Sequence, residues 1–134
     1  MILVDTSILS LAFRRRVKKS PESPQVQILR RLVEQDQPVV VPGIVLQELL
    51  SGVRTENEYE RLQDLMEGFP LMLATREHHL EAARIANTCR QKGVSISPVD
   101  CLIAAMAIQA KSQLFTVDED FKRVALYCDL LLLH

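Results

Sequence analysis

Short apolar runs that stop at a polar residue or a proline and give way to helical spacing constrain this chain more than any other feature. Ile2-Leu3-Val4 ends at Asp5, Val39-Val40-Val41 ends at Pro42, and Leu114 to Val117 ends at Asp118. A run that is apolar throughout, rather than at alternate positions, suits a strand buried on both faces, which is the setting of a parallel sheet. Pro70 to Ala74 and Leu130 to Leu133 supply two more strand candidates. Helical patterns fill the intervals. They cover Thr6 to Phe13, a stripe of Val26, Ile28, Leu29, Leu32 and Val33 introduced by Ser23-Pro24, and Glu56 to Gly68. Further patterns cover residues 76 to 92, Pro98 to about Lys111, and a short segment from Glu119. After Val41, Pro42 stands where a first helical position tolerates proline, and Ile44, Val45, Leu46, Leu49, Leu50 and Val53 provide that helix with its buried face. Alternation of this kind predicts an α/β fold: a three-layer α/β/α sandwich around a central parallel sheet of four to five strands, joined by right-handed crossovers. At 134 residues the chain reads as one domain, 1–134.

Composition narrows the function classes. No apolar stretch approaches the roughly 20 residues of a membrane span, and the opening MILVDTSILSLAF has an acid at position 5 with no basic leader, so the expected setting is the cytoplasm. Cys89, Cys101 and Cys128 lack C-x-x-C spacing and read as free packing thiols. A formal net charge of -1 gives no global attraction to nucleic acid, so any such binding must rest on a local patch. Arg14, Arg15, Arg16, Lys18 and Lys19 form one candidate, and a solvated loop is the competing reading of the same run. His78 and His79 are adjacent on a helix, about 100° apart, and cannot make the i, i+4 pair of an H-E-x-x-H zinc site. No glycine-rich phosphate loop occurs among the four glycines. Ser7 lacks a nucleophile elbow.

Four acids remain: Asp5, Glu48, Asp100 and Asp118. In a parallel α/β sheet the functional crevice lies beyond the carboxyl ends of the strands. Asp5 and Asp118 follow their strands directly. Glu48 lies in the second turn, and Asp100 in the first turn, of helices leaving the same edge. Taken singly, three have structural explanations: Asp5 and Asp118 suit helix N-caps, and Ser97-Pro98-Val99-Asp100 resembles a capping box. Glu48 differs, standing at the margin of an apolar stripe with Gly52 one turn later, where a missing side chain leaves room for a metal or a phosphate or allows tight packing. Two carboxylates about 4 Å apart repel by roughly 4 kcal/mol at an effective dielectric near 20, so a fold that pools four without basic partners needs a cation. Hard oxygen donors select Mg²⁺, with Mn²⁺ as the alternative.

These residues resemble the PIN-domain ribonucleases, in particular the small VapC-type toxins of toxin–antitoxin modules. The resemblance runs through Ile2-Leu3-Val4-Asp5-Thr6-Ser7, then Val41-Pro42-Gly43-Ile44-Val45-Leu46-Gln47-Glu48-Leu49-Leu50-Ser51-Gly52, Asp100-Cys101-Leu102-Ile103-Ala104-Ala105, and Leu114-Phe115-Thr116-Val117-Asp118-Glu119-Asp120-Phe121. It implies a PIN-like nuclease fold over the whole chain, and catalytic and metal-binding roles for Asp5, Glu48, Asp100 and Asp118. Thr6 and Thr116 would be supporting hydroxyls, while Asp120 either joins through water or stays in solvent. Cys101 looks incidental.

The implied activity is metal-dependent endoribonuclease hydrolysis of RNA to 3′-hydroxyl and 5′-phosphate ends, with the basic run from Arg14 to Lys19 steering RNA backbone. The implied partners are a cognate antitoxin whose tail occupies the active-site groove and a second copy in a homodimer, with room for a higher toxin–antitoxin assembly. Leu46, Leu50, Tyr59, Leu62 and Met66 are candidates for those contacts, against an intramolecular core reading. Two other classes stand beside this one. A catalytically silent binding partner keeps the fold without turnover. A receiver-like signalling domain would need an aspartate after the third strand and a lysine after the last, and the chain has neither.

Overall fold

The structure, a computed structural model, describes residues 1–14 and 22–134. In chain order the elements are β1 (Ile2–Val4), α1 (Thr6–Phe13), α2 (Pro24–Glu34), β2 (Val39–Pro42), α3 (Gly43–Leu50) and α4 (Glu56–Met66). They continue with β3 (Leu71–Met72), α5 (Arg76–Gln91), α6 (Pro98–Gln109), β4 (Gln113–Phe115), α7 (Glu119–Tyr127) and β5 (Leu131–Leu132). The sheet has five strands in the order β3-β2-β1-β4-β5, and every pairing is parallel. Helices α1 to α4 pack among themselves and α5 to α7 among themselves, giving two helical layers. This is the expected three-layer α/β/α sandwich.

The strand order reverses at β1, which lies between β2 and β4, so the crevice of this doubly wound sheet opens at the ends of β1 and β4. Register places it: Ile2, Leu3 and Val4 lie beside Gln113, Leu114 and Phe115, and the Asp5 N–H donates to the Phe115 carbonyl at 3.0 Å. One further residue along each chain are Thr6 and Thr116. Leu3 and Val4 are fully buried and Ile2 nearly so, so the unbroken apolar run does what a central strand requires.

Element ends differ from the sequence expectation for local reasons. The third strand is Leu71–Met72 rather than Pro70 to Ala74. Its one neighbour is β2, the paired residues are Val41 with Leu71 and Pro42 with Met72, and Pro42 has no N–H to extend the ladder. Pro42 is thus the end of a strand and the N-cap of α3, not its first helical residue. The fourth strand stops at Phe115 rather than Val117, because the Val117 N–H donates instead to Ser7 Oγ at 3.1 Å. Helix α3 ends at Leu50, leaving Val53 beyond it. Gly52 has φ +82° in the turn that follows, and a Cβ there would meet nothing within 4 Å. Its glycine serves backbone conformation at the helix end, not space beside Glu48.

Of the apolar residues offered for partner contacts, Leu62 and Met66 are buried core. Leu46 and Leu50 are half-buried, and Tyr59 is exposed. Burial pushes the Cys101 and Cys128 thiols up to about 11, which keeps both protonated.

Candidate metal centre

Asp5 is the N-cap of α1 and is only 4% exposed. Its Oδ2 accepts hydrogen bonds from Ser7 Oγ at 2.8 Å, Thr116 Oγ1 at 2.9 Å and the Ser7 N–H at 3.4 Å. The two hydroxyls are themselves held. Ser7 Oγ accepts from the Val117 N–H at 3.1 Å, and Thr116 Oγ1 accepts from the Asp118 N–H at 3.0 Å. They lie 3.2 Å apart. Each hydroxyl has one proton, and spending it on Asp5 Oδ2 means that neither donates to the other. The carboxylate is therefore fixed through Oδ2, and Oδ1 is left without a donor among the described residues.

Glu48 is half-buried on the second turn of α3, and its Oε1 accepts from Thr6 Oγ1 at 2.8 Å. Thr6 and Ser7 thus point one hydroxyl to each of two acids from adjacent positions at the start of α1. Asp118 is the N-cap of α7, its Oδ1 accepting from the Asp120 N–H at 2.9 Å. Asp100 is the third residue of α6, and Ser97 caps that helix by accepting the Asp100 N–H at 3.2 Å.

Of the four predicted acids the structure brings Asp100 and Asp118 into one group of close oxygens, and the third member of that group among the described residues is Asp120 rather than Asp5 or Glu48. Carboxylate oxygens of Asp100, Asp118 and Asp120 lie within 4.8 Å of one another, all three residues half-buried. The Asp100 carboxyl is raised from its ordinary value near 3.8 to about 6. Burial is the largest cause, followed by the charges of Asp118, Asp5 and Glu48, and a hydrogen bond from Ser97 opposes the rise. All four predicted acids are therefore within electrostatic reach of one point. Among the described residues no lysine or arginine pairs with Asp5, Glu48, Asp100 or Asp118. Arg123 Nη1 does reach Asp120 Oδ1 at 2.5 Å. An all-oxygen donor set with unbalanced negative charge suits a hard divalent cation such as Mg²⁺ or Mn²⁺.

Sequence reasoning missed Ser7 as a site residue. It was considered only as a nucleophile, whereas its hydroxyl ties Asp5 to the β4 end. The local signal was its position two residues after a cap, while its other partners lie more than a hundred residues away. Arg14 lies at the end of α1 and its Nη2 donates to the Leu49 carbonyl at 3.0 Å. Arg15, Arg16, Lys18 and Lys19 lie outside the described residues. His78 closes a capping box on α5, its Nδ1 accepting the Thr75 N–H at 2.9 Å, so that residue has a structural task.

Residues 2–126 match the family model described as PIN domain. The chain is similar to Ribonuclease VapC11 of Mycobacterium tuberculosis, 31% identical over 127 residues that span 93% of this chain and 92% of the relative. Among solved structures it is similar to VapBC2 from Rickettsia felis bound to a DNA fragment from their promoter, with a TM-score of 0.79 at 23% identity, covering 99% of this chain and 98% of that one. A toxin–antitoxin complex from Klebsiella pneumoniae matches with a TM-score of 0.68 at 18% identity, covering 90% of each chain. At such identities these structures speak to the fold.

Proposed function

The chain belongs to the PIN-domain family, and from that premise we propose that it is a metal-dependent endoribonuclease acting as the toxin of a toxin–antitoxin pair. The observation that carries this reading is the convergence on Asp100, a carboxyl lifted to about 6 partly by three other acids from separate elements. That arrangement destabilises an empty site and favours a cation. The receiver-like alternative falls with the family assignment.

Asp5, Glu48, Asp100 and Asp118 would hold the ion, with Asp120, whose oxygen lies within 4.8 Å of those of Asp100 and Asp118, beside them. Bound Mg²⁺ or Mn²⁺ supplies Lewis-acid stabilisation of a phosphodiester and acidifies a water for attack. The protein's own contribution is placement. Ser7 and Thr116 lock one oxygen of Asp5 and leave the other without a donor among the described residues, and Thr6 holds Glu48. Asp100 must give up its proton before it can serve as an anionic ligand, which happens as pH rises through about 6.

The whole of 1–134 acts as one nuclease domain in this reading, in the cytoplasm. Among the described residues no helix is long and apolar enough to cross a membrane. RNA is the substrate, with basic residues from Arg14 to Lys19 along its backbone, and a cognate antitoxin covers the site. Tyr59 with the half-buried Leu46 and Leu50 offers apolar surface for a homodimer or antitoxin contact. The relative VapC11 is named a ribonuclease, and the Klebsiella pneumoniae structure of similar fold is a toxin–antitoxin complex; both support this reading.

The test is cleavage of RNA by protein purified free of any antitoxin, with Mg²⁺ or Mn²⁺ added. Wild type should cut, and folded Asp5→Asn and Asp100→Asn should not. Equal degradation by wild type and variants would assign the cutting to a contaminant. No cutting by well-folded wild type would favour a silent PIN-fold binding partner.

A further inference from the structure

The acid cluster meets one basic side chain among the described residues, Arg123, and nothing in the reading above gives it a task. Arg123 is one turn along α7 from Asp120, and helical side chains lean back toward the N-terminus, so its guanidinium projects toward the turn that carries Asp118 and Asp120. It donates to Asp120 Oδ1 at 2.5 Å, while Asp120 itself offers a carboxylate oxygen within 4.8 Å of those of Asp100 and Asp118. The guanidinium therefore stands at the rim of the cluster, one carboxylate removed from its centre.

Two further facts bear on what it does there. Arg123 is 57% exposed and Asp120 35%, so the pair is an i, i+3 surface ion pair of the weak, easily exchanged kind. And an RNA phosphodiester arriving at a site lined with five acids meets repulsion unless cations border it. A guanidinium presents planar, paired N–H donors that match phosphate oxygens, and one resting on a carboxylate in a weak, solvent-exposed pair can exchange that partner for a phosphate with little movement.

We propose that Arg123 is an RNA-phosphate contact of this site, held in reserve on Asp120 and transferred to the substrate backbone when RNA binds. This rests on the nuclease reading for its substrate class. Transfer would also leave Asp120, already in the cluster, without its cation, so that the charge around that residue changes with substrate. Lys122 provides an internal control. It is the neighbouring cation on the same helix, pairs with Glu119 at 3.0 Å, and is 65% exposed, but its partner is not in the cluster.

The experiment is binding of a fluorescein-labelled single-stranded RNA of mixed sequence, followed by anisotropy over a salt series in Mg²⁺. The Asp5→Asn background prevents cutting. Arg123→Ala is expected to weaken binding about 5- to 10-fold and to reduce the slope of log K against log salt by about 0.7, the loss of one phosphate contact on a single strand. Lys122→Ala should change either quantity far less. Unchanged affinity and slope in Arg123→Ala, or equal losses in both variants, would overturn the proposal and leave a plain surface ion pair. Binding is read apart from cutting. Failure of wild type to cleave sinks the nuclease reading, whereas a flat Arg123 result sinks this inference alone.

Discussion

The two halves of the acid site are built on opposite principles. At the ends of β1 and β4, Asp5 is buried and its Oδ2 is held by two hydroxyls and a backbone N–H, with the hydroxyls anchored in turn by the amides of Val117 and Asp118. At the helix starts, Asp100 has a capped backbone but a carboxyl surrounded by like charge, and it is raised to about 6. One half is organised before any ligand arrives. The other is frustrated, and frustration of this type is relieved by a cation or a proton. The contrast teaches that geometric order and unbalanced charge need not reside in the same residues: the buried side is fixed by hydrogen bonds, and the half-exposed side carries the uncompensated charge.

The largest effect should come from removing charge on either side. Asp5→Asn and Asp100→Asn are each expected to lower the RNA cleavage rate by roughly 10³-fold or more, the scale of deleting a charged group from an electrostatically organised site. Circular dichroism would check that both remain folded. If the halves differ as described, their failures should differ as well. Asp100→Asn should relieve the metal-free protein, while Asp5→Asn should leave Ser7 and Thr116 with a poorer acceptor.

Next in size is the hydroxyl clamp. Ser7→Ala and Thr116→Val should each weaken Mn²⁺ binding about 10- to 100-fold, as loss of a group that orients a ligand does. Because both act on the same oxygen, the double variant should lose less than the two effects combined. Additive losses, measured by titration, would mean that the two hydroxyls work independently.

A pH titration sharpens the other half. Asp100 must be ionised to bind metal, so Mn²⁺ affinity should be flat well above pH 6 and fall by up to about tenfold per pH unit below it. In Asp100→Asn this dependence should flatten. The smallest effect is on stability. The folded metal-free protein holds the Asp100 proton more tightly than the unfolded chain, so this group's contribution is most favourable below its ordinary value near 3.8 and is lost as pH rises through about 6. Asp100→Asn should therefore melt a few degrees higher than wild type at pH 7.5 without metal. That is on the order of 1 kcal/mol once screening of a half-exposed carboxylate is allowed for.

Much of this was legible in the sequence, because strand and helix periods and the position of an acid at the end of a strand are local facts. Unbroken apolar runs marked Ile2–Val4 and Val39–Val41 as strands buried on both faces, and chain direction then put Asp5 and Asp118 at one edge. What local pattern could not decide was whether Asp5, Asp100 and Asp118 were caps or ligands. Asp5 and Asp118 do cap their helices with side-chain oxygens, while Asp100 is itself capped by Ser97. A capping signature therefore leaves an acid free to stand beside other acids, as Asp118 does beside Asp100.

Gly52 was misread for a related reason: helical phase extrapolated past Leu50, where the helix had already ended. Leu62 and Met66 have the spacing of an exposed apolar stripe and of a buried one alike, and only packing against the rest of the core tells them apart. Ser7 was legible only in part: its bond to Asp5 is local, but the Val117 N–H that anchors its hydroxyl lies more than a hundred residues away.

The most direct measurement is Mn²⁺ binding to the antitoxin-free protein at pH 7.5, followed by electron paramagnetic resonance of the free ion, in wild type and in Asp100→Asn. The account predicts saturable binding by wild type that Mg²⁺ displaces, and binding weakened at least about tenfold in the variant. No saturable binding by folded wild type, or the same affinity in both proteins, would contradict it.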